Sequence, residues 1–322
     1  MTRSLVTGAD GFVGQHLVAE LLRRGEEVVG AVLAIPPRLT TLTEGEARRV
    51  QWADVDMRGQ ESVARLVRAN HVDRIFHLAA LASAGKSMHD PVSPFEVNAV
   101  GTLLLLEELR RMRLEVDYDP VLLISGSAEV YGSASARFQP LTEGCPLEPL
   151  NPYAVSKAAQ EILGQQYHRA EGLSVVLTRG FNHTGPGQHP TFVAPQLAHS
   201  VHRIRQEGGV GSVKIGNVEV RRDFTDVRDV VRAYIALTEH GAPGEVYNVC
   251  SGRSYAIGEL LDMLVDLAGV EVEVELDPAR ARRVDVPEMV GSYARLAEAT
   301  GWKPEIDIRQ SLADLLASLE SL

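Results

Sequence analysis

The stretch that decides the fold runs SLVTGADGFVG from Ser4 to Gly14. Ser4–Thr7 has the pattern of a short buried strand, and Val13–Arg24 follows with helical periodicity. Gly25 stands where a glycine commonly ends a helix. A strand, a glycine-rich turn and a helix in this order form the context of a dinucleotide fingerprint. The chain is therefore predicted to open with a nucleotide-binding unit.

The glycines of the turn, Gly8, Gly11 and Gly14, are spaced Gly-x-x-Gly-x-x-Gly rather than Gly-x-Gly-x-x-Gly. Either spacing lets the backbone approach a pyrophosphate, whose charge is held by a helix N-terminus. We predict a dinucleotide cofactor contacted by Gly8, Gly11, Phe12, Val13 and Gly14. The alternative is a glycine-rich turn without a ligand, because a fold alone does not establish a function.

Strand patterns alternate with helical patterns through the first half of the chain. The further predicted strands are Val28–Leu33, Arg49–Val55, Arg74–Ala79, Val121–Ser125 and Ser174–Thr178. The predicted helices between them are Gln60–Ala69, Val97–Met112 and Tyr153–Glu171. This alternation implies an α/β fold, a doubly wound parallel sheet of the Rossmann type with helices on both faces.

The composition changes after residue 180. Gly180–Pro195, rich in Gly, Pro, His and Asn, is predicted to be a loop. The later predicted elements are helices Pro195–Gln206, Val230–Glu239 and Ile257–Ala268, strands Val213–Gly216 and Glu245–Val249, and a charged turn at Arg221–Asp229. We predict an NAD(P)-binding domain over residues 1–180, with a return near 223–250, and a smaller C-terminal α/β substrate-binding region over residues 181–322.

The chain of 322 residues is acidic, with a formal net charge of −11. Because it has no Lys/Arg block, it is predicted to bind neither nucleic acid nor an anionic membrane. Its two cysteines, Cys145 and Cys250, have no metal-ligand or redox spacing, so no metal site and a reducing compartment are expected. Met1–Val6 runs straight into a strand pattern, and no apolar stretch approaches the ~20 residues of a membrane helix. We expect a soluble, cytoplasmic protein.

A second motif, NPYAVSK, places Tyr153 and Lys157 four residues apart, on one face of a helix. Asn151 suits the N-cap and Pro152 the first helical position, so a helix is predicted to begin just before the tyrosine. A lysine cation nearby lowers the pKa of a phenol by about 1–3 units, toward a useful range. The pair is predicted to move a proton at a carbon–oxygen bond, although alone it also fits an ordinary surface Tyr and Lys.

In their joint order the motifs resemble those of the extended short-chain dehydrogenase/reductase family, over nearly the whole chain. They are Gly8–Gly14, Asp54-Val55-Asp56, His77-Leu78-Ala79-Ala80, Asn98 in Asn-Ala-Val-Gly-Thr, Ser125–Gly132 and the Tyr153/Lys157 pair. The resemblance implies an enzyme that uses NADP(H) or NAD(H) and holds the sugar C4 oxygen with Ser127. It implies further cofactor contacts at Asp54, Val55, Leu78, Ala79, Ala80, Tyr153, Lys157 and His183.

The second half resembles the GDP-mannose branch of that family, which holds 4,6-dehydratases and 4-keto-6-deoxymannose reductases. The matching stretches are Asn182–Gln188, Gly216-Asn217, Arg222–Asp229, Tyr247–Gly252, Arg282–Pro287 and Gly301–Pro304. The resemblance implies a GDP-linked nucleotide sugar as substrate, bound by Ser127, Asn182, Asn217, Arg222, Arg282 and Asp285. An arginine fork suits a diphosphate, although each single arginine also fits a solvated surface charge.

The residues after the second predicted strand leave the choice between NAD and NADP open. An acidic residue there would bond the ribose hydroxyls, whereas an arginine would take a 2′-phosphate. Gly30–Arg38 reads GAVLAIPPR, which has no acid and ends on an arginine. This favours NADP slightly.

Glu129 and Ala128 separate the two reactions of the branch, which share Ser127, Tyr153 and Lys157. In that branch a dehydratase takes its extra base from a glutamate that follows a polar residue. Here the glutamate is kept as a fourth catalytic candidate, while the preceding residue is alanine. The alanine and the compact stretch Thr184–Gln188 favour reduction of a C4 ketone to a GDP-6-deoxyhexose over dehydration of GDP-mannose.

Two further functions stay open: another nucleotide-sugar epimerase or dehydratase, and a regulator that senses NAD(P) without catalysis. The intact Ser127, Tyr153 and Lys157 argue against the regulator. Helices Val97–Met112 and Tyr153–Glu171 resemble the pair through which family members dimerise, so a homodimer is predicted. Burial within a monomer would explain the same apolar content.

Overall fold

Thirteen strands are found in the structure, a computed structural model that describes residues 1–277 and 286–320. They are β1 (Arg3–Thr7), β2 (Glu27–Val32), β3 (Val50–Asp54), β4 (Arg74–His77), β5 (Val121–Ser127), β6 (Val175–Gly180), β7 (Asn182–Thr184), β8 (Val210–Ile215), β9 (Arg221–Asp226), β10 (Val246–Val249), β11 (Ser254–Ala256), β12 (Glu271–Leu276) and β13 (Glu288–Met289). Seven of them form one parallel sheet in the order β10-β6-β5-β4-β1-β2-β3. The order reverses between β1 and β4, where open α/β sheets bind their ligands.

Helices cover both faces of this sheet. The helices within residues 1–277 and 286–320 are α1 (Phe12–Arg23), α2 (Glu44–Ala47), α3 (Gln60–Ala69), α4 (Ala84–Ser87), α5 (Val92–Pro94), α6 (Gly101–Val116), α7 (Pro152–Glu171), α8 (Val193–Gln206), α9 (Val227–His240), α10 (Ile257–Ala268), α11 (Ala294–Thr300) and α12 (Ile308–Leu319). A π-helical segment, Phe95–Val100, joins α5 to α6, and a 3₁₀ segment, Ala128–Ala136, follows β5. Helices α1, α9 and α11 pack on one face, and α3, α6 and α7 on the other.

The two cores on either side of the sheet use alternate residues of the same strands. Leu5 and Ile75 belong to the core under α3 and α6, while their neighbours Val6 and Phe76 belong to the core under α1 and α9. Successive side chains of a strand point to opposite faces, so a strand covered on both sides is apolar throughout. The predicted α/β fold with a doubly wound Rossmann-type sheet is confirmed.

The second half of the chain adds a separate core and a smaller sheet. Helices α8, α10 and α12 pack around the parallel pair β8 and β12, and β9 pairs with β7, β11 and β13. Strand β10 returns to the main sheet beside β6. The boundary predicted at residue 180 stays a prediction. Across residues 1–277 and 286–320, no helix is both long and apolar enough to span a bilayer.

Two local predictions are wrong. The predicted charged turn Arg221–Asp229 is strand β9 followed by the start of α9, because Arg222, Asp223, Asp226 and Asp229 are buried and hydrogen-bonded inside the fold. The predicted loop Gly180–Pro195 contains the short strand β7, which pairs with β9, and the first turn of α8.

Candidate active site

The glycine turn between β1 and α1 lies at the reversal point of the sheet and packs directly on the chain that follows β4. A Cβ added to Gly8, whose φ is +69°, would lie 3.0 Å from the Ala79 nitrogen. A Cβ on Gly14 would lie 2.1 Å from the Gly8 carbonyl oxygen. Both positions therefore require glycine, and the turn presents main chain rather than side chains.

The first turn of α1 is suited to bind an anion. Its N-cap is Gly11, which provides no side-chain cap, and the cap lies at the exposed end of the helix. Phe12 and Val13 follow, both half-buried. The first N–H groups of a helix have no intrahelical partner and carry the positive end of its dipole. The residues present thus fit the pyrophosphate of a dinucleotide.

The strand ends beside the turn place the other predicted cofactor residues along the same edge. Leu78, Ala79 and Ala80 follow β4 and are half-buried. The Asp54 carboxylate ends β3 with 69% of its side chain exposed, and the next residue, Val55, is buried and donates its N–H to Val32. His183, on β7, stacks on the Phe12 ring at 6.0 Å between ring centres. His183, from the second half of the chain, therefore lies beside α1 together with cofactor residues predicted in the first half.

Tyr153 and Ser127 lie together at the end of β5. Asn151 caps α7 by accepting a hydrogen bond from the Ala154 N–H at 2.8 Å, and Pro152 occupies the first turn, as predicted. Both the tyrosine and the serine are 8% exposed. A side-chain hydrogen bond from Ser127 lowers the pKa of Tyr153, but burial outweighs it and raises that pKa to about 12.

The Lys157 ammonium lies one turn further along α7, buried to 3% exposure. Its Nζ donates to the Ser125 carbonyl oxygen at 2.8 Å and to the Gln160 side-chain oxygen at 2.9 Å. Burial lowers the pKa of Lys157 to about 7. The ammonium group is therefore fixed by acceptors from β5 and α7, and it lies on the same helix as the tyrosine.

The expected direction of the Tyr153 pKa was wrong. A lysine four residues away predicts a lowered pKa, but the phenol is buried and burial disfavours the phenolate. The charge of Glu129 raises the pKa further. Tyr153 is thus held in its protonated form, which suits a proton donor.

Glu129 is half-buried and accepts a hydrogen bond from the Asn151 side-chain nitrogen at 3.1 Å. Asn151 therefore caps α7 with its oxygen and holds the glutamate with its nitrogen. Ala128, which stands where a dehydratase has a polar residue, is buried at 3% exposure in an apolar cluster with Tyr131 and Phe181. Glu129 lies close enough to Tyr153 for its negative charge to raise the pKa of the phenol.

The predicted substrate residues differ in their exposure to solvent. Asn182 is exposed at the start of β7, beside Phe224 of β9. Asn217 is exposed and accepts the Glu219 N–H at 3.0 Å. Arg222 is 7% exposed and donates to the Val286 carbonyl oxygen at 2.8 Å. Arg282 and Asp285 lie outside the described residues.

A sequence model of the family described as GDP-mannose 4,6 dehydratase matches residues 5–315. The chain belongs to the GDP-mannose 4,6-dehydratase family. This family lies within the extended short-chain dehydrogenases/reductases, so the predicted family is confirmed.

Relatives of this family member include enzymes with different reactions. It is 39% identical to the GDP-6-deoxy-D-mannose reductase of Pseudomonas aeruginosa, over 99% of this chain and 97% of that protein. The structure of RMD from Pseudomonas aeruginosa complexed with NADPH matches with a TM-score of 0.84 and 37% identity, covering 100% of this chain and 99% of that one. The UDP-glucose 4-epimerase of Thermus thermophilus in complex with NAD matches with a TM-score of 0.85 and 30% identity, with 99% of both chains covered.

Several polar residues around the site of this GDP-mannose 4,6-dehydratase family member were not predicted. Gln160 bonds Lys157, the Ser87 hydroxyl accepts the Tyr153 N–H at 3.2 Å, and Gln15 bonds the chain at Thr40 and Thr41. Gln15 is buried on an apolar face of α1, whereas Gln160 is buried on a face of α7 that also holds Lys157 and Glu161. A polar residue on an apolar face was the available signal for Gln15, but it does not identify the partner. Within residues 1–277 and 286–320, no group of three or more His, Cys, Asp or Glu side chains is arranged to hold a metal ion.

Proposed function

We propose that this protein reduces the C4 ketone of a GDP-4-keto-6-deoxymannose-type nucleotide sugar to the corresponding GDP-6-deoxyhexose, using NADPH or NADH. The observation that carries the proposal is the hydrogen-bonded pair of Ser127 and Tyr153, with Lys157 on the same helix, beside a glycine turn that fits a dinucleotide. The reductase relative, 39% identical over nearly the whole chain, supports the same reaction.

The side chains supply the proton side of the reaction. When bound, the reduced nicotinamide supplies a hydride to C4. Tyr153 donates its phenolic proton to the C4 oxygen as negative charge develops there, which yields the alcohol. Ser127 donates a hydrogen bond to the same oxygen and stabilises that charge. A raised tyrosine pKa supports this assignment, since a protonated phenol is required when the ketone arrives.

The buried Lys157 cation provides positive charge near the phenolate that remains after proton transfer. Its stem emerges from the same face of α7 as the tyrosine, because the two are one helical turn apart. In this proposal it also holds the nicotinamide ribose. Gly8, Gly11, Phe12, Val13 and Gly14 would hold the pyrophosphate, while Asp54, Val55, Leu78, Ala79, Ala80 and His183 would line the remainder of the cofactor.

We assign the nucleotide-sugar end to Asn182, Asn217 and Arg222. A diphosphate brings negative charge to a protein with a net charge of −11, so a local guanidinium is needed to bind it. Arg222 is the described arginine of the predicted set, and it reaches Val286, next to the segment 278–285. The parts predicted for Arg282 and Asp285 stay predictions.

Dehydration of GDP-mannose is the second candidate, and Glu129 is the observation that favours it. The carboxylate is retained and its charge acts on Tyr153. In a reductase the same carboxylate needs no base function, and its hydrogen bond to the cap of α7 gives it a positioning function instead.

A two-tube experiment with matched variants separates these functions. The protein is incubated with the GDP-4-keto-6-deoxy sugar plus NADPH, and separately with GDP-mannose. The masses of the products are then measured by mass spectrometry. We expect a gain of two mass units in the first tube and no loss of water in the second. Tyr153→Phe should lower the rate of reduction by roughly 10²–10⁴-fold while NADPH still binds.

The control is Tyr118→Phe, which removes a hydroxyl that accepts the Val72 N–H at the amino ends of strands β4 and β5, away from the site. Glu129→Gln should leave reduction largely intact. Loss of water from GDP-mannose, abolished by Glu129→Gln, would instead establish the dehydratase. Binding of NADPH without turnover of any keto-sugar would identify a regulator.

We also propose a homodimer formed through α7 and the helical segment Phe95–Val116. Apolar side chains on this surface remain exposed, with Phe95 at 43%, Val155 at 44% and Ile162 at 53%. Large apolar residues grouped on one surface favour a protein partner. Sedimentation equilibrium should give twice the mass of the chain, and a monomer would refute the proposal.

A further inference from the structure

We propose that Gln160 is a positioning residue for Lys157, at the end of a buried hydrogen-bonded chain that starts beneath the glycine turn. This inference rests on the proposed function, because it assigns a task to the lysine of that site. Gln160 lies three residues after Lys157 on α7 and is fully buried. Its side-chain oxygen accepts from the Lys157 Nζ at 2.9 Å.

From Gln160 the hydrogen-bonded chain continues away from the lysine, through side chains that are all fully buried. The Gln160 Nε2 donates to the Thr102 Oγ1 at 2.8 Å, and the His77 Nε2 lies 3.0 Å from the same oxygen. The His77 Nδ1 lies 2.8 Å from the Thr7 Oγ1. Four elements of the fold, β1, β4, α6 and α7, are thereby joined under the site.

The surrounding backbone fixes the direction of every hydrogen bond. Thr7 Oγ1 accepts the N–H groups of Leu78 and Ala79 at 3.2 and 3.1 Å, so its own proton is donated to the His77 Nδ1. The His77 proton then sits on Nε2 and is donated to Thr102, whose hydroxyl donates to the Asn98 carbonyl oxygen at 2.6 Å.

This direction leaves Gln160 with one orientation. Because Thr102 Oγ1 gives its only proton to Asn98, it accepts from its other neighbours, and the Gln160 amide must present N–H₂ to it. The amide oxygen is then turned toward Lys157. The orientation of Gln160 is thus fixed by groups that also support Leu78 and Ala79, the predicted cofactor residues.

The consequence for Lys157 is a defined ammonium geometry in a site that disfavours its charge. The ammonium has three N–H donors, and Ser125 and Gln160 take two of them. Burial alone lowers the pKa of Lys157 to about 7, so each acceptor helps to keep the cation. His77, which interacts electrostatically with Lys157, is neutral with a pKa of about 3, and Tyr153, one turn away on α7, stays protonated with a pKa of about 12. Neither group therefore carries a charge of its own near neutral pH.

The test compares Gln160→Met, Gln160→Glu and the control Gln166→Met, which changes an exposed glutamine on the same helix. Methionine keeps the length and removes the acceptor. We expect kcat to fall about tenfold to a hundredfold and KM for the nucleotide sugar to stay unchanged. Loss of a hydrogen bond to a charged group typically has an effect of about this size. The alkaline limb of the pH profile should move to lower pH in Gln160→Met and to higher pH in Gln160→Glu, which adds a carboxylate.

A second readout uses the protein without cofactor or substrate. Titration of the Lys157 side-chain nitrogen by ¹⁵N NMR should give a lower pKa in Gln160→Met and a higher one in Gln160→Glu, relative to both wild type and Gln166→Met. A folded Gln160→Met with the wild-type pH profile and titration would overturn the inference. If that variant does not fold, an unshifted Gln160→Glu overturns it. Absence of ketone reduction by the wild type would refute the proposed function and leave the NMR test valid.

Discussion

The glycine turn Gly8–Gly14 presents bare main chain at its three glycines, whereas strand β9 in the second half is rich in charged side chains. At the turn, Gly14 leaves no room for a Cβ and α1 offers uncapped N–H groups. In β9, Asp223 is fully buried and accepts from Ser251, Gly252 and Gly291 at 2.6–3.2 Å. One region exposes backbone for a ligand, while the other commits charges to the protein itself.

This difference shows how reliably a function can be inferred from each kind of motif. A glycine without space for a Cβ has one structural interpretation. An arginine has several, because the same guanidinium can bind a diphosphate or a carbonyl group of its own chain. Arg222 donates to the carbonyl oxygens of Arg221 and Val286, both at 2.8 Å, so its part in binding substrate has to be measured.

The largest effect is expected from Gly14→Ala, which tests the cofactor region. The added Cβ would lie 2.1 Å from the Gly8 carbonyl oxygen, so the turn has to shift away from the position in which we propose that it binds the pyrophosphate. We expect NADPH affinity to fall by roughly a hundredfold, as measured by calorimetry. Gly45→Ala is the control, because its Cβ would meet nothing nearer than 3.9 Å. Equal affinities would show that the turn does not hold the cofactor.

A smaller effect is expected from Arg222→Met, which tests the substrate region. If the guanidinium binds the diphosphate, KM for the nucleotide sugar should rise about tenfold while NADPH affinity is kept. Its neighbour Arg221 pairs with Glu259 at 3.2 Å and is more exposed, so Arg221→Met is the control. A lower unfolding temperature with unchanged KM would assign Arg222 to the fold alone and sharpen the contrast between the regions.

The smallest effect on activity is expected from Asp223→Asn. An amide nitrogen cannot accept the hydrogen bonds that the lost carboxylate oxygen accepted, and the donors left without partners are buried. We expect the free energy of unfolding in urea to fall by about 1–3 kcal/mol. Asp262→Asn, at an exposed position of α10, serves as the control. Equal losses in the two variants would remove Asp223 from the structural role given to it here.

The sequence predicted those parts of the fold that depend on local patterns. Gln60–Ala69 and Ile257–Ala268 begin and end where predicted, because their apolar spacing is regular. Strand β12 was overlooked although Glu271–Leu276 alternates charged and apolar residues with the period of a strand, and β9 was not predicted, since its charges find their partners only after the chain has folded. Periodicity cannot supply those partners.

The candidate site shows the same limit. Ser127, Tyr153 and Lys157 were named from their motifs, and the structure places them at one end of the sheet. The direction of the Tyr153 pKa was wrong because it depends on burial, which a four-residue spacing does not contain. Gln160 was missed because Thr102, the partner that fixes the orientation of its amide, comes from α6, far away in the sequence.

The late position of strand β10 in the sequence has a consequence for folding during synthesis on the ribosome. It pairs with β6, whose apolar residues Val175–Leu177 are buried, yet β10 begins only at Val246. At usual rates of synthesis, β6 waits several seconds, on the order of 3–14 s, for its neighbour to emerge. During that interval it is an open apolar edge that can pair with another nascent chain. The topology thus leaves this edge unpaired, and open to aggregation, between the synthesis of residue 180 and that of residue 249.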